Sequence, residues 1–447
     1  MTIRALVGIA CLNLAYAFVG LSLLWGLRAL RTWGEVGLLA GLGYLVGLSA
    51  FGVLWTGLLV LGVPFGGASL VLVLVALAVT GVAVGVVRGV PLPKGRPRLG
   101  GTAMVLVSAA GVALSGLFLE AVFRAGRLLS LQEYDAWAFW VPKGKAIFFF
   151  DGLDEQVFTT AAAPFYPPLQ PILDAAAFHA MGGADVVTLH IQFWFVLVGF
   201  VWAGAGLLHR HVAAWLLWPP LVLLLVVPRF GERLLAPQAD VLVDVFVVTA
   251  ALSLALWLRD HAGWRVAASA ILLAGAVNTK REGILFTAGV LLAAFVASRP
   301  RRWPALVAAA VAVGLTMVPW RIWTARHDLP AGAPSSSFGS DRLWAALDVS
   351  FDVLYSTALW SVLPLVATIA LGAAAVWGDR RLTAYVGVLA LVLFAGGVWS
   401  TAGIEEFSLS ADESGNPIVR LTGSIVLLAA VATPLLLTSV WRRGAEP

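Results

Sequence analysis

An aspartate lies within a strongly aromatic segment in the first third of the chain. Asp135 has tyrosine, tryptophan and phenylalanine residues around it, so its carboxylate would lie against apolar surface, where it suits a general base. Trp137 and Trp140 are three residues apart and would share one face of a short helix, which Pro142 and Gly144 are expected to end. Interfacial anchoring explains the aromatic residues equally well, but it does not explain the carboxylate among them.

Three consecutive ionisable residues, Lys280, Arg281 and Glu282, interrupt a long apolar stretch between Arg265 and Arg299. The stretch leaves about fifteen residues for each of two spans, fewer than the roughly twenty that cross a bilayer, so the turn is predicted to lie below the outer surface. Charges at that depth are costly unless they are paired or line water, and they suggest function. Lys280 and Arg281 would hold a phosphate group, with Glu282 orienting one of them. A tight loop with snorkelling side chains is the alternative.

Other polar residues are spaced so that they could face the same cavity. Asp240 and Asp244 are one helical turn apart and share a helix face, although capping the helix is the simpler role for Asp240. Tyr166 precedes two prolines, which fix an extended backbone and orient the tyrosine, or else form only a stiff turn. Arg420 opens the last apolar run and either faces the cavity or stays at its rim.

The composition requires a membrane around these residues. Of 447 residues, 60% are hydrophobic and 12% are charged, whereas soluble domains have roughly a quarter charged residues. Apolar runs such as 187–208 and 382–399 are long enough to cross a bilayer. Cys11, the single cysteine, excludes an intramolecular disulfide. The net charge of +5 comes from short basic clusters between apolar runs, so we expect no nucleic-acid partner.

The basic clusters also predict the topology. When the spans are counted back from the C-terminus, every cluster falls on one side, which is cytoplasmic by the positive-inside rule. The other side receives loops at about 125–185, 229–238, 278–283, 324–350 and 400–418. The sequence thus predicts an all-α polytopic protein of about thirteen transmembrane helices, with an uncleaved first span, an external N-terminus, a cytoplasmic C-terminus and a substantial extracytoplasmic loop after the fourth span. The clusters are 28–31, 88–98, 209–211, 259–265, 299–302, 379–381 and 441–443.

Five features, in this order along the chain, resemble the GT-C superfamily of membrane glycosyltransferases, particularly the bacterial relatives of protein O-mannosyltransferases. They are Asp135 in its aromatic loop, the Tyr-Pro-Pro-Leu segment from Tyr166, the Ala-Asp pair ending in Asp240, the Thr-Lys-x-Glu-Gly turn at 279–283, and Arg420. The resemblance implies a catalytic module at 99–441 and a three-span N-terminal addition at 1–98. This chain departs from the family in two ways. The aspartate loop follows the fourth span here but the first span in the family, and it has a single aspartate where many relatives have an acidic pair. The single aspartate leaves open whether the protein requires a divalent metal.

The resemblance further implies sugar transfer from a polyprenyl-phosphate donor to a hydroxyl group of a glycan, lipid or protein on the extracytoplasmic side of the cell membrane, with inversion at the anomeric carbon. Asp135 would be the base. A transporter or lipid flippase is the main alternative, and a noncatalytic assembly subunit is another. No nucleophile–base arrangement or metal-ligand grouping is recognisable. The other expected roles are donor phosphate binding by Lys280, Arg281, Arg420 and Lys143, and a sugar or acceptor pocket formed by Trp137, Trp140, Tyr166, Asp240, Asp244 and Glu282.

Overall fold

The computed structural model describes residues 2–95, 102–227, 229, 236–329, 340–403 and 417–444. Within these ranges the chain is helical and has no β-strand, so the predicted all-α class is confirmed. Helices suit a chain of this composition because, in lipid, each backbone N–H and C=O group must find its partner within its own segment.

The described residues in the first half of the chain form ten α-helices and one short π-helix. A long irregular connection, 161–168, separates α7 from α8 within the predicted external loop. The α-helices are α1 (Ile3–Gly26), α2 (Trp33–Leu38), α3 (Ala40–Val60), α4 (Gly67–Val87), α5 (Thr102–Gly126), α6 (Val141–Phe150), α7 (Glu155–Thr160), α8 (Leu169–Met181), α9 (Val186–Leu208) and α10 (Ala214–Val226), and the π-helix is Ala136–Trp140.

In the second half, the residues that the structure describes form ten further α-helices and a 3-10 turn at Pro300–Arg302. The α-helices are α11 (Ala239–Asp260), α12 (Gly263–Thr279), α13 (Glu282–Ala297), α14 (Trp303–Thr316), α15 (Val318–Arg326), α16 (Ser340–Tyr355), α17 (Thr357–Trp360), α18 (Leu363–Trp377), α19 (Arg380–Gly403) and α20 (Pro417–Gly444).

Nine helical segments within the described ranges are long and apolar enough to cross a membrane. Three apolar helices, α10, α13 and α18, are shorter. The chain is therefore compatible with a multi-pass membrane protein, whereas the count of thirteen spans stays a prediction. The nine segments are α1, α3, α4, α5, α9, α11, the run from Pro300 to Arg326, most of α19 and most of α20.

Helix α11 lies at the centre of the bundle. The most apolar stretch of this helix is entirely buried. The helices that pack around it are α9, α12, α13, α19 and α20. A helix that is apolar on every face needs such an environment. Since α11 begins with Ala239-Asp240, the core of the bundle fixes the position of the Asp240 carboxylate.

The N-terminal helices share this core. Helix α1 packs on α3 so closely that a Cβ atom on Gly20 would lie 1.6 Å from the Gly43 carbonyl oxygen. Asn13 of α1 and Gln192 of α9 exchange hydrogen bonds of 2.9 Å between their side-chain amides, which ties α1 to a later helix. Residues 2–95 are thus part of the same packed bundle, and their status as an addition to a catalytic module stays a prediction.

The basic clusters meet at one end of the bundle, as a common membrane side requires. Which side of a membrane this end faces stays a prediction. Several contacts connect the clusters. Arg28 Nη2 donates a hydrogen bond to Arg88 O at 2.6 Å, and Arg442 Nη2 donates one to His211 O at 3.4 Å, while Arg265 Nη2 lies 3.4 Å from His211 Nε2. Arg302 contacts His261 Nδ1, and a single cleft is lined by Arg259, Arg380 and Arg381.

Candidate functional site

The aromatic segment after Asp135 forms a π-helix, Ala136–Trp140, rather than an α-helical turn. The expectation that Trp137 and Trp140 share a face is wrong, since Trp137 is 52% exposed and packs edge-on against Tyr134, whereas Trp140 is fully buried. The wider i to i+5 turn changes the angular spacing on which that expectation rested. The prediction that Pro142 and Gly144 end the helix is also wrong, since both lie within α6. Pro142 occupies the first turn of α6, where its missing N–H costs nothing.

Trp140 belongs to an aromatic wall that joins the loop to the helical bundle. Its ring stacks on the Tyr166 ring with centroids 5.3 Å apart, and the Phe139 ring stacks on the same tyrosine with centroids 6.2 Å apart. Both residues pack against Ala239 at the start of α11. The two loop segments singled out in the sequence, around Asp135 and Tyr166, therefore meet beside Asp240.

The Lys280 ammonium group lies between two carboxylates. Its Nζ is 2.8 Å from Asp240 Oδ1 and 3.2 Å from Glu282 Oε1, and the side chains of Lys280 and Asp240 are only 6% and 8% exposed. The lysine also lies over the Tyr166 ring at 5.6 Å, and the Tyr166 hydroxyl is 3.5 Å from Glu282 Oε1. The capping role expected for Asp240 is not seen, because Gln238 is the N-cap and Asp240 pairs with Lys280 instead.

The turn that carries Lys280 requires a glycine two residues after Arg281. A Cβ atom on Gly283 would lie 2.2 Å from the Ala276 carbonyl oxygen, so α12 and α13 approach too closely there for any side chain. Helix α12 ends at Thr279 and α13 begins at Glu282, which leaves two residues to reverse the chain. This close reversal holds Lys280 and Glu282 side by side.

Arg281 points to a different part of the site from Lys280. Its guanidinium group lies 5.2 Å from the Phe165 ring centre, and it forms no salt bridge within the described residues. Arg321 lines the same small crevice, which Trp320 helps to close by donating from Nε1 to Phe165 O at 3.2 Å. The sequence interpretation did not include Arg321. The signal was a basic residue at the predicted outer end of a span, against the positive-inside preference.

Asp244 is buried one turn below Asp240, and Ser424 Oγ of α20 donates a hydrogen bond to Asp244 Oδ1. This contact attaches α20 to α11 directly beneath the Asp240–Lys280 pair. Arg420 lies one turn earlier in α20, and its side chain falls outside the residues that the structure describes. Its expected role at the phosphate stays a prediction.

Lys143 lies in the first turn of α6 and is fully buried. Its Nζ donates to the carbonyl oxygens of Ala163 at 2.8 Å and Ala162 at 3.2 Å. Burial lowers the pKa of Lys143 to about 7. Lys143 thus braces the segment before Tyr166, and a phosphate would have to compete with these two carbonyl groups for it.

One buried acidic residue of α8, which was not predicted from the sequence, lies against α6. Asp174 of α8 is 1% exposed, and neither carboxylate oxygen has a hydrogen-bond partner among the described residues. Its Cβ atom would be 2.7 Å from a Cβ atom on Gly144, so α6 and α8 are in close contact there. Burial raises the pKa of Asp174 well above its usual range. The available signal was an acid inside an otherwise apolar run, Ile172 to Phe178.

Among the described residues, no three histidine, cysteine, aspartate or glutamate side chains are grouped as metal ligands. No protein-family model matches the chain, and no curated protein or solved structure is significantly similar to it. Function is therefore inferred from the residues and their geometry.

Proposed function

We propose that this chain is an integral membrane glycosyltransferase of the GT-C type, which moves a sugar from a polyprenyl-phosphate donor to a hydroxyl acceptor on the extracytoplasmic side. One observation carries the proposal. The loop that bears Asp135 and the turn that bears Lys280 and Arg281 meet through Tyr166, which contacts Trp140 on one side and Lys280 with Glu282 on the other. A carboxylate and a cationic turn at one place are what such a transfer needs.

The reaction would be a direct displacement at the anomeric carbon. The acceptor oxygen forms a bond to that carbon, the bond from the carbon to the phosphate oxygen breaks, and the phosphate leaves with the electron pair. The acceptor hydroxyl proton passes to the Asp135 carboxylate. Attack from the face opposite the leaving group inverts the anomeric configuration.

The cations divide between a structural and a ligand-binding role. Lys280 is held by two carboxylates, so its charge is largely balanced within the protein. Arg281 has no such partner in the described chain and lies beside Arg321 in one crevice. We assign the leaving phosphate to Arg281, with Arg321 in the same crevice, because a guanidinium group matches two phosphate oxygens at once. The half-buried Tyr166 ring, with Trp140 stacked on it, would form the wall against which the sugar lies.

The test is sugar transfer by Asp135→Asn in membranes supplied with a radiolabelled polyprenyl-phosphate sugar. Loss of a general base costs about 10²- to 10⁴-fold in rate. Glu133→Gln is the matched control, since it removes a carboxylate two residues away in the same loop. We expect Glu133→Gln to retain the wild-type rate. Equal rates for wild type and a well-folded Asp135→Asn would remove the proposed base.

A transporter or lipid flippase is the second candidate, because the buried Lys280–Asp240 pair is also the kind of charge that a transport pathway uses. The two functions differ in access to the site. A transferase keeps the Lys280 turn open to one side of the membrane, whereas transport requires that it be reached from each side in turn. If a chemical reagent can reach the Lys280 turn alternately from the two sides of the membrane, the transporter is favoured.

A further inference from the structure

A second charged cavity, of about 300 Å³, opens at the end of the bundle opposite the candidate site. We call it the basic cleft, after Arg28, Arg31, Arg210 and Arg265, which line it. Helix α11 connects the two ends, with Asp240 in its first turn and Asp260 as its last residue. At a rise of 1.5 Å per residue, the two aspartates are about 30 Å apart, so the basic cleft is separate from the candidate site.

Arg265 is firmly held in the wall of this cleft. It is 7% exposed, its Nε donates to Asp260 Oδ2 at 2.8 Å, and its guanidinium group lies 4.5 Å from the Trp264 ring centre. Its Nη2 lies 3.4 Å from His211 Nε2. Its Nη1 is buried and has no hydrogen-bond partner among the described residues. A fixed guanidinium group therefore has one donor nitrogen unsatisfied, which is costly inside a protein.

The carboxylates of the cleft are already engaged. Glu35 accepts from Arg210 Nη1 at 2.7 Å and from the backbone N–H of Arg31 at 2.6 Å, as part of the cap of α2. Asp260 accepts from Arg265 and from the backbone N–H of Ala262 at 3.0 Å. Four arginines face two carboxylates, so an excess of positive charge remains. The exposed Arg31 side chain forms no salt bridge in the described part of the chain.

We infer that the basic cleft is a phosphate-binding site, in which Arg265 Nη1 and the Arg31 guanidinium group donate to phosphate oxygens. The guanidinium fork of Arg31 can bind two oxygens of one phosphate, and Arg265 adds the single donor nitrogen Nη1 that its contacts with Asp260 and His211 leave unused. The volume accommodates a phosphorylated headgroup as well as a free ion. The chemistry is thus a phosphate group, carried either by a membrane lipid or by inorganic phosphate.

The experiment uses the full-length purified protein and two probes. Inorganic phosphate is titrated calorimetrically in detergent, and the melting temperature is measured in phosphatidylcholine nanodiscs with and without phosphatidylglycerol. Arg31→Gln should weaken phosphate binding about tenfold, because one charge-assisted contact is lost. Arg381→Gln is the matched control, since it removes an exposed charge at the same end of the bundle outside the cleft. Arg265→Lys keeps the positive charge, removes the Nη1 donor, and serves as a second variant.

The two probes distinguish the sources. Stabilisation by phosphatidylglycerol that free phosphate competes away identifies a lipid headgroup, and stabilisation by phosphate alone identifies the soluble ion. Either result supports the site if Arg31→Gln or Arg265→Lys weakens the binding about tenfold and Arg381→Gln leaves it unchanged. Equal weakening by Arg31→Gln and Arg381→Gln would mean unspecific attraction, and an absence of binding by both probes would also overturn the inference. Neither result bears on Asp135 or on sugar transfer.

Discussion

The buried ion pair between Lys280 and Asp240 gives the sharpest stability prediction. Lys280→Met would remove the cation that lies 2.8 Å from Asp240 Oδ1 and 3.2 Å from Glu282 Oε1, while both carboxylates stay in place. Removing one partner of a buried pair costs about 3–5 kcal/mol, because the other charge stays desolvated and loses the attraction of that partner. That range lowers the folding equilibrium constant by roughly two to three and a half powers of ten.

The partner variant should cost less. In Asp240→Asn the lysine still has Glu282 Oε1 at 3.2 Å, so we expect a loss of about 1–3 kcal/mol. The double variant Lys280→Met with Asp240→Asn should be more stable than Lys280→Met alone, because the buried carboxylate that lost its lysine is replaced by a neutral amide. Residues in direct contact typically show a coupling of about 0.5–3 kcal/mol in such a cycle.

The assay is the free energy of unfolding in mixed micelles, measured for the wild type, both single variants and the double variant. Lys94→Met is the matched control, because it makes the same substitution at an exposed position and should stay within about 0.5 kcal/mol of wild type. If Lys280→Met unfolds at the same denaturant concentration as Lys94→Met, the pair does not stabilise the bundle, and the buried geometry of the turn is wrong.

Two other predictions concern the same region. Because burial lowers the pKa of Lys143 to about 7, below its ordinary 10.5, the unfolded chain holds this proton more tightly. The melting temperature should therefore rise as the pH increases from about 7 towards 10, and Lys143→Met should remove that rise. A Cβ atom on Gly283 would lie 2.2 Å from the Ala276 carbonyl oxygen, so Gly283→Ala should lower the melting temperature, whereas Gly263→Ala at the open start of α12 should leave it unchanged. These expectations would be contradicted by a wild-type melting temperature that does not rise with pH, or by a Gly283→Ala variant that melts at the wild-type temperature.

The part of the structure that the sequence predicted best depends on a constraint over the whole chain. The positive-inside preference acts on every loop, and it predicts one common side for the seven basic clusters. Arg28 beside Arg88, and Arg442 beside His211, are contacts across 60 and 231 positions that follow from that single rule. Helical class followed from composition for a similar reason, because lipid leaves few backbone options.

The candidate site was less predictable, since its contacts depend on geometry that local patterns do not encode. Asp240 follows a proline turn and is a reasonable cap by its neighbours, but its actual partner, Lys280, lies 40 positions away. The spacing of Trp137 and Trp140 indicates a shared face only in an α-helix, and the π-helix at 136–140 separates their environments. Arg321 has no sequence neighbour that links it to Arg281, and only the packing of α15 against the loop brings them together.

Stability alone does not account for the charges of the Lys280 turn. A buried ion pair is often no more stabilising than well-packed apolar residues of similar volume, so an apolar turn between α12 and α13 would fold as well. The pair does, however, fix Lys280 and Glu282 against Tyr166 and direct Arg281 away from them, towards Phe165 and Arg321. A rigid turn that holds one neutralised lysine and presents one arginine without a carboxylate partner in the described chain is suited to receiving an anion. This is the physical reason to favour, at this turn, a reaction in which a phosphate is the leaving group over a purely structural role.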